Sequence, residues 1–192
     1  MDMNKKHIIT ITGKPGTGKS STCRAIAERL GYQSYSSGDF MRQLATERGR
    51  DIATNSKETM DDRTLDDIVD GRQKEYGKTR DNFVMDGRMG WLMIPNSFKV
   101  YLKTEPYVAA HRVLNGEKNH IRLSSEKFGQ SIDEYVENIK QRMNHDEKRY
   151  IKLYGLTPFD ESHYDLIVDN SEKTFDEVLH DILSAYSSWL RN

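Results

Sequence analysis

GKPGTGKS, residues 13–20, follows the apolar, β-branched run HIITIT and precedes STCRAIAERL. Gly13, Gly18, Lys19 and Ser20 satisfy the pattern G-x-x-x-x-G-K-[ST], with a predicted strand before it and a predicted helix after it. The residue types follow from the chemistry. Glycines let successive backbone N–H groups turn inward around phosphate oxygens, and the following helix adds its positive N-terminal end. Lys19 can reach β- and γ-phosphates, while Ser20 can ligate Mg2+. The run Gly13, Lys14, Pro15, Gly16, Thr17, Gly18, Lys19, Ser20 and Ser21 is therefore the predicted ATP cradle.

Strands and helices alternate outward from this loop. NFVMDG (82–87), FKVYLKT (98–104) and YDLIVDN (164–170) are short apolar runs that end in polar residues or glycine, as strands do. GYQSYSSGD (31–39) reads as a connection with a possible short strand. DFMRQLATERG and TMDDRTLDDIVDGRQKEYGKT read as helices, the second with Met60, Leu65, Ile68 and Val69 on its apolar side. PYVAAHRVLN places Pro106 in a first helical turn. SIDEYVENIKQRMNHDEKRYIKLYG predicts a long amphipathic helix with Ile132, Val136, Ile139 and Met143 inward. GEKNHIRLSSEKFGQ (116–130) is polar, basic and bounded by glycine, and it reads either as a lid or as a solvated loop. In the last predicted helix Thr174 and Glu177 stand at capping-box spacing. Such alternation implies a mostly parallel sheet covered on both faces.

Composition removes several classes of function. Lys and Arg total 29 against 30 Asp and Glu, so no global field favours nucleic acid or a membrane surface. No apolar stretch approaches the length of a spanning helix, and MDMNKKH opens onto a strand without a hydrophobic signal core, so the expected address is the cytoplasm. The single cysteine, Cys23, is expected to pack on the first helix as a small apolar group. A guanine-reading [NT]-K-x-D tetrapeptide and an L-S-G-G-Q stretch are both absent. A small-molecule kinase is the leading reading. A kinase of hydroxyl acceptors, of shikimate or gluconate type, and a non-catalytic ATP-binding module are the alternatives.

Three further clusters bear on an acceptor. In SSGDFMR, Arg42 falls about one helical turn after Gly38 and Asp39, which sets a guanidinium fork beside a helix N-terminus. FVMDGR ends a strand, putting Asp86 and Arg88 at the carboxyl edge of the sheet, where ligands of open α/β folds bind. Asp86 there can hold water on Mg2+, or serve only as a turn former before Gly87. Arg142, Asp146 and Arg149 are spaced to present one helix face as positive, negative, positive, which is also the pattern of an ordinary exposed ion-pair face. Arg112 is either another phosphate contact or a solvated helix residue.

Taken together, ITITGKPGTGKS, SSGDFMR, DGRQKE, VMDGRMG, IKQRMNHDEKRYIKLYG and YDLIVDNSEKTFDEV resemble the cytidylate kinase family, particularly its compact archaeal-type branch. Adenylate kinases typically carry D-G-[FY]-P-R where this chain has Asp86-Gly87-Arg88-Met89-Gly90. The resemblance implies a P-loop NTPase three-layer α/β fold, with a five-stranded parallel sheet of order 2-3-1-4-5. It implies one kinase domain over residues 1–192, with a helical nucleoside-monophosphate-binding section at about 36–80 and a lid at about 115–131. Its implied partners are ATP, Mg2+ and a nucleoside monophosphate, CMP or dCMP, with no nucleic acid polymer and no membrane. A monomer is expected, an oligomer left open. Carried over by position, Ser37, Gly38, Asp39, Arg42, Asp86, Gly87, Arg88 and Asp146 would form the acceptor site. Arg112 would join the ATP site, Lys19, Arg88, Arg142 and Arg149 would be catalytic, and Ser20 with Asp86 would hold the metal, the latter through water. The chain departs from the family run at His145 and Lys148, where relatives often carry arginine, and its candidate lid has few arginines besides Arg122.

Overall fold

A computed structural model describes residues 6–47, 63–115 and 131–192. Met60, Arg122 and the candidate lid at 116–130 lie outside the described residues. The five strands are β1 (Ile8–Gly13), β2 (Gln33–Ser36), β3 (Phe83–Asp86), β4 (Phe98–Lys103) and β5 (Leu166–Asp169). All pair in parallel, in the order β2-β3-β1-β4-β5. The helices are α1 (Lys19–Leu30), α2 (Ser37–Glu47), α3 (Arg63–Thr79), α4 (Gly90–Met93), α5 (Pro106–Leu114), α6 (Ile132–Tyr154) and α7 (Phe175–Arg191).

β1 is central and buried along its whole length, as a strand covered on both faces must be. Its two threonines tolerate that burial because each hydroxyl is paired. Thr10 Oγ1 meets Ser97 Oγ at 2.9 Å, and Thr12 Oγ1 donates to Gly87 O at 2.8 Å. On one face of the sheet Ile9, Ile11 and Val100 pack with Ile26 of α1 and Leu179 and Ile182 of α7. On the other, Ile8, Phe83 and Met85 pack with Phe40 of α2, Leu65 of α3 and Trp91 of α4. Cys23 belongs to the first of these cores and donates to Val84 O at 3.3 Å; burial pushes its thiol up to about 12, so it behaves as the expected small apolar group. A smaller cluster joins Ala110 of α5 to Tyr135, Val136 and Ile139 of α6. Ile132 departs from the predicted inward stripe: it follows the Ser131 cap directly and is 37% exposed, so the buried stripe begins at Tyr135.

Helix ends follow their local chemistry. Ser131 with Glu134 and Thr174 with Glu177 form complete capping boxes at the starts of α6 and α7. Gly31 and Gly155 close α1 and α6 in left-handed conformations. Among the described residues no helix is long and apolar enough to cross a membrane.

Asn170, just past β5, ties three elements to the phosphate loop. Its Oδ1 accepts from Thr104 Oγ1 at 2.5 Å and from Arg112 Nη1 at 3.1 Å, while its Nδ2 donates to Thr17 O at 3.0 Å. Asn170 is 5% exposed, so removing its amide strands buried partners. Asn170→Ala is expected to lower unfolding free energy by about 2–4 kcal/mol, measured by urea denaturation.

Candidate active site

The phosphate loop begins where β1 runs out against β4. A side chain at Gly13 would meet Leu102 O at 2.5 Å and Thr17 Oγ1 at 2.8 Å, so only glycine lets the chain turn here. Gly18 caps α1 with φ 86° and supplies no side-chain bond, leaving the first amides of α1 directed at the loop's interior. The loop is braced from within: Thr17 Oγ1 and Lys19 Nζ both donate to Lys14 O, at 2.9 and 2.7 Å.

A cavity of about 310 Å³ opens in front of this loop. Pro15, Gly16, Gly18, Lys19, Ser20 and Ser21 form its floor. Ser37, Gly38 and Arg42 enter from α2, Asp86, Gly87 and Arg88 from the end of β3, and Arg112 and Arg142 from α5 and α6. Residues predicted from widely separated parts of the sequence thus share one wall. Gly13, Lys14, Thr17, Asp39, Asp146 and Arg149 are not on it. Gly13 and Thr17 brace the loop from behind, and Lys14 faces a neighbouring apolar pocket. Asp39 pairs with Arg42 one turn along α2.

The edge of the cavity at the end of β3 is set by strand register. β2 and β3 align Ser36 with Asp86, and Ser36 Oγ donates to Asp86 Oδ1 at 2.7 Å. Asp86 Oδ2 is buried with no partner among the described residues, on the same wall as Ser20. A carboxylate oxygen left in that state suits a hydrated cation, and Mg2+ ordinarily binds through one or two protein groups plus phosphates and water. Ser20 and Asp86 therefore fit the metal that the phosphate-loop pattern implies.

Behind the cavity lies a buried charged layer between α3 and α6. Arg88 Nη2 stands 2.9 Å from Asp146 Oδ2 without hydrogen-bond alignment, so that contact is Coulombic. Arg149 Nη2 stands 3.3 Å from Asp66 Oδ1 and donates to Tyr150 OH at 3.0 Å. The predicted face of Arg142, Asp146 and Arg149 is thus not a surface ion-pair ladder. Asp146 and Arg149 are 6% and 9% exposed, and each pairs with a residue from another element. Burial alone would lower both arginines, but Asp146 beside Arg88, and Tyr150, Asp66 and Asp146 beside Arg149, hold both above the ordinary guanidinium range. Both stay cationic although largely desolvated.

Sequence reasoning assigned no role to Ser36, Asp66, Asp70, Gln73 or Asn170. Ser36, Asp66, Asp70 and Asn170 are polar residues buried against partners far away in the chain, whereas the amide of Gln73 is held by Asp70 on the same helix. Asp70 and Gln73 do stand in the DGRQKE stretch, and their i,i+3 spacing was a readable signal of a shared helix face.

Asp70 accepts from Gln73 Nε2 at 3.0 Å and from Tyr154 OH. Burial outweighs the Tyr154 bond and raises its carboxyl to about 6. A carboxyl raised on folding binds its proton more tightly in the native state. Its stabilising contribution is complete below about pH 4 and is lost as pH rises through about 6. Asp70→Asn is expected to remove about 3 kcal/mol of this decline between pH 4 and pH 7, read as a flatter plot of urea midpoint against pH.

The geometry agrees with three comparisons. Cytidylate kinase from Thermoplasma volcanium is 34% identical over 174 residues, covering 88% of this chain and 86% of that protein. Cytidylate kinase from Methanocorpusculum labreanum is 31% identical over 184 residues, covering 95% and 98%. In structure, shikimate kinase from Bacteroides thetaiotaomicron superposes with a TM-score of 0.62 over 96% of this chain and 98% of that one, at 15% identity, a likeness of fold alone. A family profile described as the cytidylate kinase-like family matches residues 8–172, from the first strand to just past Asn170. With the loop, the D-G-R turn and the α6 arginines all inside that span, the chain belongs to the cytidylate kinase-like family.

Proposed function

We propose that the protein transfers the γ-phosphoryl group of ATP to CMP or dCMP, giving ADP and CDP or dCDP. One observation carries this reading. Two separate anion-binding devices, the phosphate loop with Lys19 and the α2 N-terminus with Arg42 and Arg88, face one cavity. A hydrolase or a switch needs only the first device. An enzyme that joins two phosphorylated substrates needs both.

The chemistry asks little beyond positioning. The acceptor's second phosphate pKa is about 6, so at neutral pH it is already mostly an oxyanion and needs no general base. Lys19 and the amides of α1 would hold the donor phosphates, with Arg112 at the edge of the ATP site. Ser37, Gly38 and Arg42 would hold the acceptor phosphate. Arg88 would contact acceptor phosphate or base, and Asp146 the pyrimidine edge. Arg142 already lines the cavity; Arg149 would exchange Asp66 for phosphate as the substrates meet. Ser20 and, through water, Asp86 would hold Mg2+, which would supply positive charge against the donor phosphates. Guanidinium groups that surround the transferring group stabilise its charge and exclude water, the competing acceptor.

ADP release with Mg·ATP over a panel of CMP, dCMP, UMP, AMP, shikimate and gluconate tests the proposal. Stimulation by the cytidine monophosphates is expected; stimulation by the alcohols alone would replace the reading with a hydroxyl kinase. Lys19→Ala should abolish CMP-dependent turnover while the thermal melt is kept, and near-normal kcat in a folded variant would refute its role. Arg42→Ala should raise the KM for CMP by about 10- to 100-fold while the KM for ATP changes far less. Equal effects on both would remove Arg42 from the acceptor site.

A further inference from the structure

Gln73 of α3 is 2% exposed, and its amide is held by a short chain of bonds. Nε2 donates to Asp70 Oδ1 at 3.0 Å, and the other oxygen of Asp70 accepts from Tyr154 OH on α6. The amino end of the amide is thereby committed, and the carbonyl end is turned away from Asp70. Oε1 has no hydrogen-bond partner among the described residues. It lies against the turn after β3: a methyl group added at Gly87 would stand 3.1 Å from Gln73 Oε1 and 2.9 Å from Ser37 Oγ. Ser37 and Gly87 both line the cavity. A buried acceptor left without a donor is costly and rare, so its presence beside a ligand pocket calls for a ligand that donates.

The chemistry of this acceptor narrows the choice. A phosphate at neutral pH offers only acceptor oxygens and leaves Gln73 Oε1 unsatisfied; an amino group donates. Cytosine carries an exocyclic amino donor where uracil carries a carbonyl acceptor. The geometry points to Gln73 as a base-selecting residue, whose Oε1 accepts a hydrogen bond from the 4-amino group of cytosine beside Gly87 and disfavours uracil by setting oxygen against oxygen. Glycine at position 87 keeps a side chain from standing between the two. Asp70 is the positioning residue, because it fixes which end of the amide faces the turn. Oε1 is covered in this state, so contact requires the turn and α3 to part slightly around the base.

The assignment rests on the proposed CMP kinase activity and deepens it. The test compares kcat/KM of the wild type, Gln73→Leu and Gln73→Met at saturating Mg·ATP with three acceptors. These are CMP, UMP and pyrimidin-2-one ribonucleoside 5′-monophosphate, in which hydrogen replaces the amino group. The wild type is expected to prefer CMP over the deamino analogue by about 10- to 100-fold. Both variants should lose about that factor with CMP, chiefly through KM, and remain at the wild-type level with the analogue and in KM for ATP. Equal losses on CMP and the analogue would mean that the amide holds the turn or reads the ribose, and would overturn the assignment. A wild-type preference retained by the variants would do the same. If neither variant folds, calorimetric binding of CMP and the analogue to the wild type decides, and equal affinity overturns it. A wild type inactive with every pyrimidine monophosphate defeats the kinase reading as well, whereas normal CMP turnover with unaltered selectivity in the variants defeats Gln73 alone.

Discussion

Two hydrogen bonds stitch the strand of the phosphate loop to the turn beside it. Gly87 N donates to Ile11 O at 3.1 Å, and Thr12 Oγ1 donates to Gly87 O at 2.8 Å. They fix the D-G-R turn against β1 one residue before the loop begins. The phosphate loop and the D-G-R turn then hang from one seam, and their separation is set by neighbouring strands. For phosphoryl transfer, whose demands are alignment and charge neutralisation, that fixed separation is the main thing a scaffold can contribute. The same seam explains why glycine stands at position 87. A side chain there would press on Ser37 Oγ and Gln73 Oε1 at once.

The layer between α3 and α6 is built differently. Its contacts are ionic and polar where a helix pair could have used apolar packing, and buried ion pairs of this kind seldom improve stability over apolar replacements. Their value here is readiness. Arg149 has already been taken out of bulk water and Arg88 is mostly covered, and both remain charged because carboxylates face them. A guanidinium in that condition can exchange one oxyanion for another at little further desolvation cost. Removing one partner is another matter, because it leaves a buried charge alone. On the far side of the loop Asn170 satisfies Thr17, Thr104 and Arg112 together, so the cradle is braced from β5 as well.

Much of this was legible before any coordinates. The octapeptide is local chemistry: glycine, lysine and serine at fixed spacing between a strand and a helix carry their geometry with them. β3 and β4 were legible because strands near the middle of a covered sheet are mostly buried and so mostly apolar, and β5, although an edge strand with Ile167 exposed, was legible from its run Leu166-Ile167-Val168. β2 was only a possible strand, since Gln33, Ser34 and Ser36 carry no apolar run and Gln33 and Ser34 are exposed; its pairing with β3 makes it one. The face of Arg142, Asp146 and Arg149 was found, but its meaning was open. Helical spacing shows that three residues share a side and says nothing of what stands opposite.

The sequence by itself determined the parallel α/β sheet, the phosphate loop and the arginines that surround it, because periodicity and short motifs act between residues close along the chain. Tertiary structure alone decided that Asp146 faces Arg88, that Asp66 faces Arg149, that Asp86 takes one bond from Ser36 and keeps an oxygen open, and that Gln73 points a lone acceptor at Gly87. Those contacts join residues that are not neighbours along the chain. Their strength depends on burial, and burial is fixed only when helices close over a sheet and the solvent is gone.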